Sequence, residues 1–128
     1  MHAVDTNAVV RLLVRDDVKQ THAAQAFVAG GAWISHIALV EATWVLSAVY
    51  GRTPQQIGAA LAQLLEHESI VVQDADVATL ALSHFRKKPA LGFSDCLILE
   101  VARKAGHLPL GTFDRDLARL DGAARLTA

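Results

Sequence analysis

The sequence of 128 residues has a single cysteine, no surplus of positive charge and no apolar run of membrane length. Cys96 has no partner for a disulfide and cannot by itself build a thiolate zinc site, which predicts a reducing compartment, with the cytoplasm as the expected location. Twelve basic against thirteen acidic residues leave a net charge of -1, so no bulk positive field marks a nucleic-acid binder and any such contact has to be local. Apolar segments are cut by Glu41, Thr43, Ser47 or Glu100 before they reach the ~20 residues of a bilayer span. The N-terminus has no basic stretch ahead of a long apolar run, so neither a membrane anchor nor a signal peptide is expected. His2, His22, His36, His67, His84 and His107 are scattered with no pair at one-turn helical spacing, which argues against a histidine zinc site.

With 52% hydrophobic residues, the chain is long enough to bury a core without staples, and residues 1–128 read as one domain. Residues 2–5 read as a short buried strand, followed by a helical apolar stripe through Val9, Val10, Leu12 and Leu13. Thr21 to Val28 suits a second helix, stopped by Gly30 and Gly31, and Ala32-Trp33-Ile34 is the next strand. Ser35 can cap a long, largely buried helix from Ile37 to Tyr50, and Thr53-Pro54-Gln55-Gln56 carries the signature of a capping box opening a helix to about Glu66. Ile70-Val71-Val72 is a β-branched strand, and Asp74 or Asp76 can cap a helix from Val77 to about Arg86. After a loop at 87–92, Ser94-Asp95 opens a helix to Ala105. Leu108 to Thr112 reads as a strand, Phe113-Asp114 turns into a short helix near Leu117, and Arg125-Leu126-Thr127 reads as a last edge strand. Strands alternating with helices predict an α/β fold, in which parallel strands carry their ligand crevice beyond the carboxyl ends.

Four acids stand where a carboxylate is awkward or well aimed: Asp5 and Asp114 after strands, Glu41 within an apolar helix and Asp95 at a helix start. Each alone has a plain structural explanation, since Asp5 and Asp114 suit N-caps, Asp95 suits a first helical turn and Glu41 suits an exposed helix edge. Gathered in one crevice, they would repel one another without a cation. Carboxylates with no histidine or thiolate are the ligand set preferred by hard divalent ions, magnesium and manganese above all.

Asp5-Thr6-Asn7, Glu41, Gly92-Phe93-Ser94-Asp95-Cys96-Leu97-Ile98 and Thr112-Phe113-Asp114 together resemble the PIN-domain nucleases, in particular VapC-type toxins of bacterial toxin-antitoxin pairs. The resemblance runs through essentially the whole chain in order and spacing. It implies a three-layer α/β/α sandwich around a central, mainly parallel sheet of four to five strands. It also implies an endoribonuclease that uses Mg2+ or Mn2+ to drive water onto an RNA phosphodiester, leaving a 3′-hydroxyl and a 5′-phosphate, and a homodimer restrained by a cognate antitoxin. By position in the motifs, Asp5 and Asp95 are the principal metal ligands, Glu41 and Asp114 complete the acidic pocket, and Thr6, Asn7 and Thr112 support the ligands. Asp116, two residues beyond Asp114, is a competing acid that the motif disfavours. Gly111 departs from the expected strand and predicts a bulge or a close approach. Cys96 reads as a buried packing residue rather than a nucleophile.

Arg11 and Arg15 beyond Asn7, with Arg86, Lys87 and Lys88 in the loop before Asp95, are candidate contacts for RNA phosphates. Their plain reading is a solvated helix face and loop. Trp33, Trp44 and Tyr50 read as core or dimer packing rather than base-stacking platforms. Competing readings fit less well. A haloacid-dehalogenase-like phosphatase needs a second acid where Asn7 stands, and a receiver domain carries its phosphoacceptor after a central strand rather than the first. The alternative outside enzymes is a catalytically silent PIN-like module that binds RNA or protein.

Overall fold

Short strands alternate with capped helices throughout the computed structural model, which describes residues 1–128. They fall into two compact units, Met1–Ala75 and Asp76–Ala128.

The first unit runs β1 (His2–Ala3), α1 (Thr6–Val14), α2 (Val18–Ala29), β2 (Ala32–Ile34), α3 (His36–Ala48), α4 (Pro54–Glu66) and β3 (Ile70–Val72). Its strands are parallel in the order β1-β2-β3, with His2 opposite Ala32 and Ala32 opposite Ile70. The period-two rule is visible in two of them: Ala32 and Ile34 are buried while Trp33 points outward, and Ile70 and Val72 are buried while Val71 points outward. The helices start where the side chains can satisfy orphan amides. Asp5 accepts from the Ala8 amide, Asp17 from Gln20 and Ser35 from Ala38. Thr53 and Gln56 form the expected reciprocal capping box, with Pro54 at the first helical position. Val9, Val10, Ile34 and Leu39 are fully buried, and α1 packs against both α2 and α3.

The second unit contains α5 (Ala75–Lys87), a 3-10 turn (Pro89–Leu91), α6 (Phe93–Ala105), β4 (Leu110–Thr112), a 3-10 turn (Leu117–Arg119) and β5 (Ala123–Arg125). β4 and β5 pair in parallel with an unbroken register, Leu110 to Ala123 through Thr112 to Arg125. Gly111 therefore marks no bulge. Its missing side chain instead accommodates Leu126, whose methyl carbons stand 3.3 Å from where a Cβ would be. Cys96 and Leu99 are fully buried, and burial, with the charges of Asp95 and Glu100 adding to it, pushes the Cys96 thiol up to about 11.

The α/β class is as expected, with every strand pair parallel, but the strands are hydrogen-bonded as three plus two rather than as one central sheet. With two or three residues each, these strands offer few ladder groups for further pairing. α3 also differs from the expected buried helix. Ala38, Leu39, Ala42 and Leu46 face inward, whereas Ile37 and Trp44 are 73% and 70% exposed, which overturns a core position for Trp44. Because this helix is apolar nearly all round, periodicity alone does not select its inner stripe. Asp76 is not a cap: it lies within the first turn of α5 and pairs with Lys104 at 3.1 Å, which holds its carboxyl below the usual value.

Glu100, on α6, is a buried acid with two partners, Arg103 Nε at 3.0 Å and His84 Nε2 at 3.2 Å. Arg103 also donates to the Asp121 carbonyl, and its guanidinium lies where a Cβ on Gly122 would come within 2.9 Å, so Gly122, at φ +92°, has steric as well as backbone reasons to be glycine. Replacing Arg103 with methionine strips Glu100 of its main counter-charge. Because Arg103 is itself partly exposed and His84 remains, the expected loss is about 1–3 kcal/mol, below that of a fully buried pair. It is measured as a lower urea midpoint at unchanged slope, and an unchanged midpoint would mean that His84 alone satisfies Glu100.

Candidate active site

Two of the four singled-out acids belong to the first unit. Asp5 follows β1 and caps α1, its Oδ1 accepting the Ala8 amide at 2.9 Å, so the capping explanation is real and occupies that oxygen. The side chain is exposed, with Thr6 and Asn7 in the first turn of α1 directly after it. Glu41 is exposed in the middle of α3, between Ile37 one turn before it and Trp44 one turn after. The helix that Asp5 caps packs against the helix that carries Glu41.

The other two belong to the second unit. Gly92, at φ +76°, turns the chain so that α6 begins at Phe93, a buried ring set edge-to-face with Phe85 at 6.3 Å. Asp95 therefore falls in the first helical turn, half-buried. Asp114 follows β4 in a tight local network: its amide donates to Thr112 Oγ1 at 3.0 Å, and its Oδ1 accepts from the amides of Asp116 at 2.8 Å and Leu117 at 2.9 Å. Thr112 thus fixes the backbone of Asp114. Burial raises the Asp95 carboxyl above its ordinary value, and the charge of Asp114 raises it further, so these two acids sense each other.

Asp116 has a different task. Lys88 Nζ binds it at 2.9 Å and Arg119 lies at 3.9 Å, and these cations hold its carboxyl below the usual range. Several other acids are ion-paired, although Asp17, Glu66 and Glu68 have no basic partner. Asp16 pairs with Arg11, Asp76 with Lys104, and Glu100 with Arg103 and His84, whereas Asp5, Glu41, Asp95 and Asp114 pair with no basic side chain. No three His, Cys, Asp or Glu side chains gather into a group that could hold a metal ion. The donors present are oxygen donors, and the crowding of Asp95 by Asp114 favours a cation beside them, so the residues fit magnesium or manganese in chemistry.

Of the basic residues read as RNA contacts, Arg11 is mostly buried, with Nη2 donating to the Tyr50 hydroxyl at 2.6 Å and Nη1 held by Asp16. Arg15 is exposed, ends α1 with φ 59° and donates from Nε to the Leu12 carbonyl at 3.3 Å. Arg86 and Lys87 are exposed at the end of α5, and Lys88 is engaged by Asp116. Glu100 escaped sequence reasoning although it is the most deeply buried acid of the chain. Its signal is the run Leu97-Ile98-Leu99-Glu100, an acid continuing an apolar helix face.

The family model of the PIN domain matches residues 3–123. Comparison with curated protein sequences gave no match. Among solved structures, the chain is similar to Mycobacterium tuberculosis VapC20, described as a sarcin-ricin loop cleaving toxin. The identity is 20%, the match covers 92% of this chain and 93% of that one, and the TM-score is 0.43. No helix is long and apolar enough to cross a membrane.

The raised Asp95 carboxyl sets a pH dependence. The folded state then binds the Asp95 proton more tightly than the unfolded state, whose value is near 3.8. The ionised form costs folding stability, a cost absent well below 3.8, growing as pH rises from there and complete once pH exceeds the raised folded value. In metal-free buffer Asp95→Asn is expected to melt above the parent at pH 7, with the difference vanishing below pH 3.8. Melting curves across that range check this, and a variant that melts lower at neutral pH would identify Asp95 as a structural residue.

Proposed function

The chain belongs to the PIN domain family, and from that membership we propose that it is a metal-dependent endoribonuclease, the VapC-type toxin of a toxin-antitoxin pair. The observation that carries the reading is that Asp5 and Asp114 each stand two residues past the end of a parallel strand, β1 and β4, on the side where α/β folds bind their ligands. The raised carboxyl of Asp95, crowded by Asp114 with no cation of the chain beside it, supports it.

In this reading Asp5 and Asp95 are the principal ligands of Mg2+ or Mn2+, and Glu41 and Asp114 complete the pocket directly or through water. A divalent ion held by these acids would make water nucleophilic at neutral pH and would offset charge on the leaving oxygen. The chain's own part is positioning. Asp5 keeps Oδ1 on its cap, which fixes the carboxylate at the head of α1. Thr112 and the two amides received by Asp114 hold that acid in one orientation. The half-buried setting of Asp95 limits competing solvent. Hydrolysis breaks the bond from phosphorus to the 3′-oxygen, which leaves as the hydroxyl, and the water oxygen stays on the 5′-phosphate. Arg15, Arg86 and Lys87 are exposed and suited to phosphates flanking the cut.

A cytoplasmic location, a homodimer and a cognate antitoxin belong to the same proposal. Ile37 and Trp44, 73% and 70% exposed on α3, supply the apolar surface that a protein partner needs.

The test incubates the antitoxin-free protein with total bacterial RNA, in manganese or in chelator, and maps new 5′-phosphate ends against Asp95→Asn. Discrete ends that require both the ion and Asp95 are expected. Ends that persist in chelator or in the variant would overturn the mechanism, and the absence of ends from folded protein would favour a silent binding module.

A further inference from the structure

A groove of about 510 Å³ opens beside Asp5, walled by α1 and α2. We propose that it is a nucleobase-selection pocket, taking one adenine of single-stranded RNA beside the phosphate cut at the acidic site. This inference rests on the nuclease reading for its position relative to the cut, but its own chemistry lies in the groove.

The groove exists because of small residues at set spacing. α2 contributes Gln20, Ala23, Ala24 and Phe27, at i, i+3, i+4 and i+7, which is one face of the helix. Alanine at the two middle positions, with Ala8 opposite on α1, leaves a floor without bulk. Its volume lies within the ~300–1,000 Å³ range of small-ligand pockets and admits a nucleotide with the base inward.

The lining has the chemistry of base recognition. Phe27 is 48% exposed and lies in a tilted ring pair with His2 at 5.3 Å, an aromatic platform at the rim. Unpaired RNA bases are held on such rings and read along their edges. Asn7 and Gln20 are both exposed and line the same groove, and each amide presents a donor and an acceptor together.

Arg11 decides between purines. Guanine is best read by a free guanidinium fork, but both terminal nitrogens of Arg11 are already held, by Asp16 and by Tyr50. The amides that remain are the groups that pair with adenine. Asp5 at the mouth places the base next to the acidic site.

The experiment measures anisotropy of labelled RNA hexamers, uridines with one central adenine, guanine, cytosine or abasic position, bound to the full-length protein in chelator. The wild type is expected to hold the adenine hexamer about tenfold or more tightly than the abasic one, as stacking and edge contacts imply. Ala23→Phe, which fills the groove, removes that preference. Phe27→Leu weakens it, whereas Phe27→Tyr retains it. Equal binding of the adenine and abasic hexamers, no binding of any hexamer, or a preference that survives in Ala23→Phe with unaltered melting would each overturn the proposal. So would an Ala23→Phe variant that keeps adenine preference but loses self-association, since the groove would then be a protein-binding surface. Should the protein prefer adenine yet cut no RNA with any metal, the nuclease reading falls and the pocket stands.

Discussion

Like-charge crowding without an internal counter-ion is the constraint on which this protein turns. Asp95 is half-buried and its carboxyl is raised, first by burial and then by Asp114. Elsewhere the chain resolves the same problem with its own cations: Lys104 for Asp76, Lys88 for Asp116, Arg103 and His84 for Glu100. Asp95 and Asp114 have no basic side chain beside them, so their crowding stands unrelieved by the chain itself.

Structural and functional explanations of an acid do not compete here. Asp5 caps α1 through Oδ1, and Asp114 accepts two amides through its own Oδ1. Both contacts restrict the orientation of a carboxylate at the end of a strand, so capping can preorganise a ligand as well as start a helix. The same economy runs through Arg11: tying its terminal nitrogens to Asp16 and Tyr50 removes it as a free phosphate grip.

What the sequence made legible follows from how local each signal is. The bounds of β2, β3 and the end of α4 are where composition and caps put them, because β-branched runs, Thr53, Pro54 and Gln56 act within a few residues. The family was legible because its four acidic motifs occur in order along the chain, and the family match spans residues 3–123. Less legible was anything set by distant packing. The inner face of α3 was ambiguous because apolar residues surround it, so the sequence left Trp44 between core and dimer packing, and its 70% exposure removes the core. The division of the strands into three and two depends on pairing between segments far apart in sequence. Asp76 had the composition of a cap, yet Lys104, 28 residues on, takes it as an ion-pair partner. The groove beside Asp5 was invisible because it is made of absent bulk, two alanines on one face of α2 that meet Ala8 only in space.

Manganese titration of the metal-free protein by calorimetry, with wild type, Asp5→Asn and Asp114→Asn compared, tests the central claim most directly. Asparagine keeps the helix cap, so Asp5→Asn should stay folded while losing a ligand charge. The account predicts a saturable site in the wild type that is weakened at least tenfold in each variant. Equal affinity in all three proteins, or no site in the wild type, would contradict it.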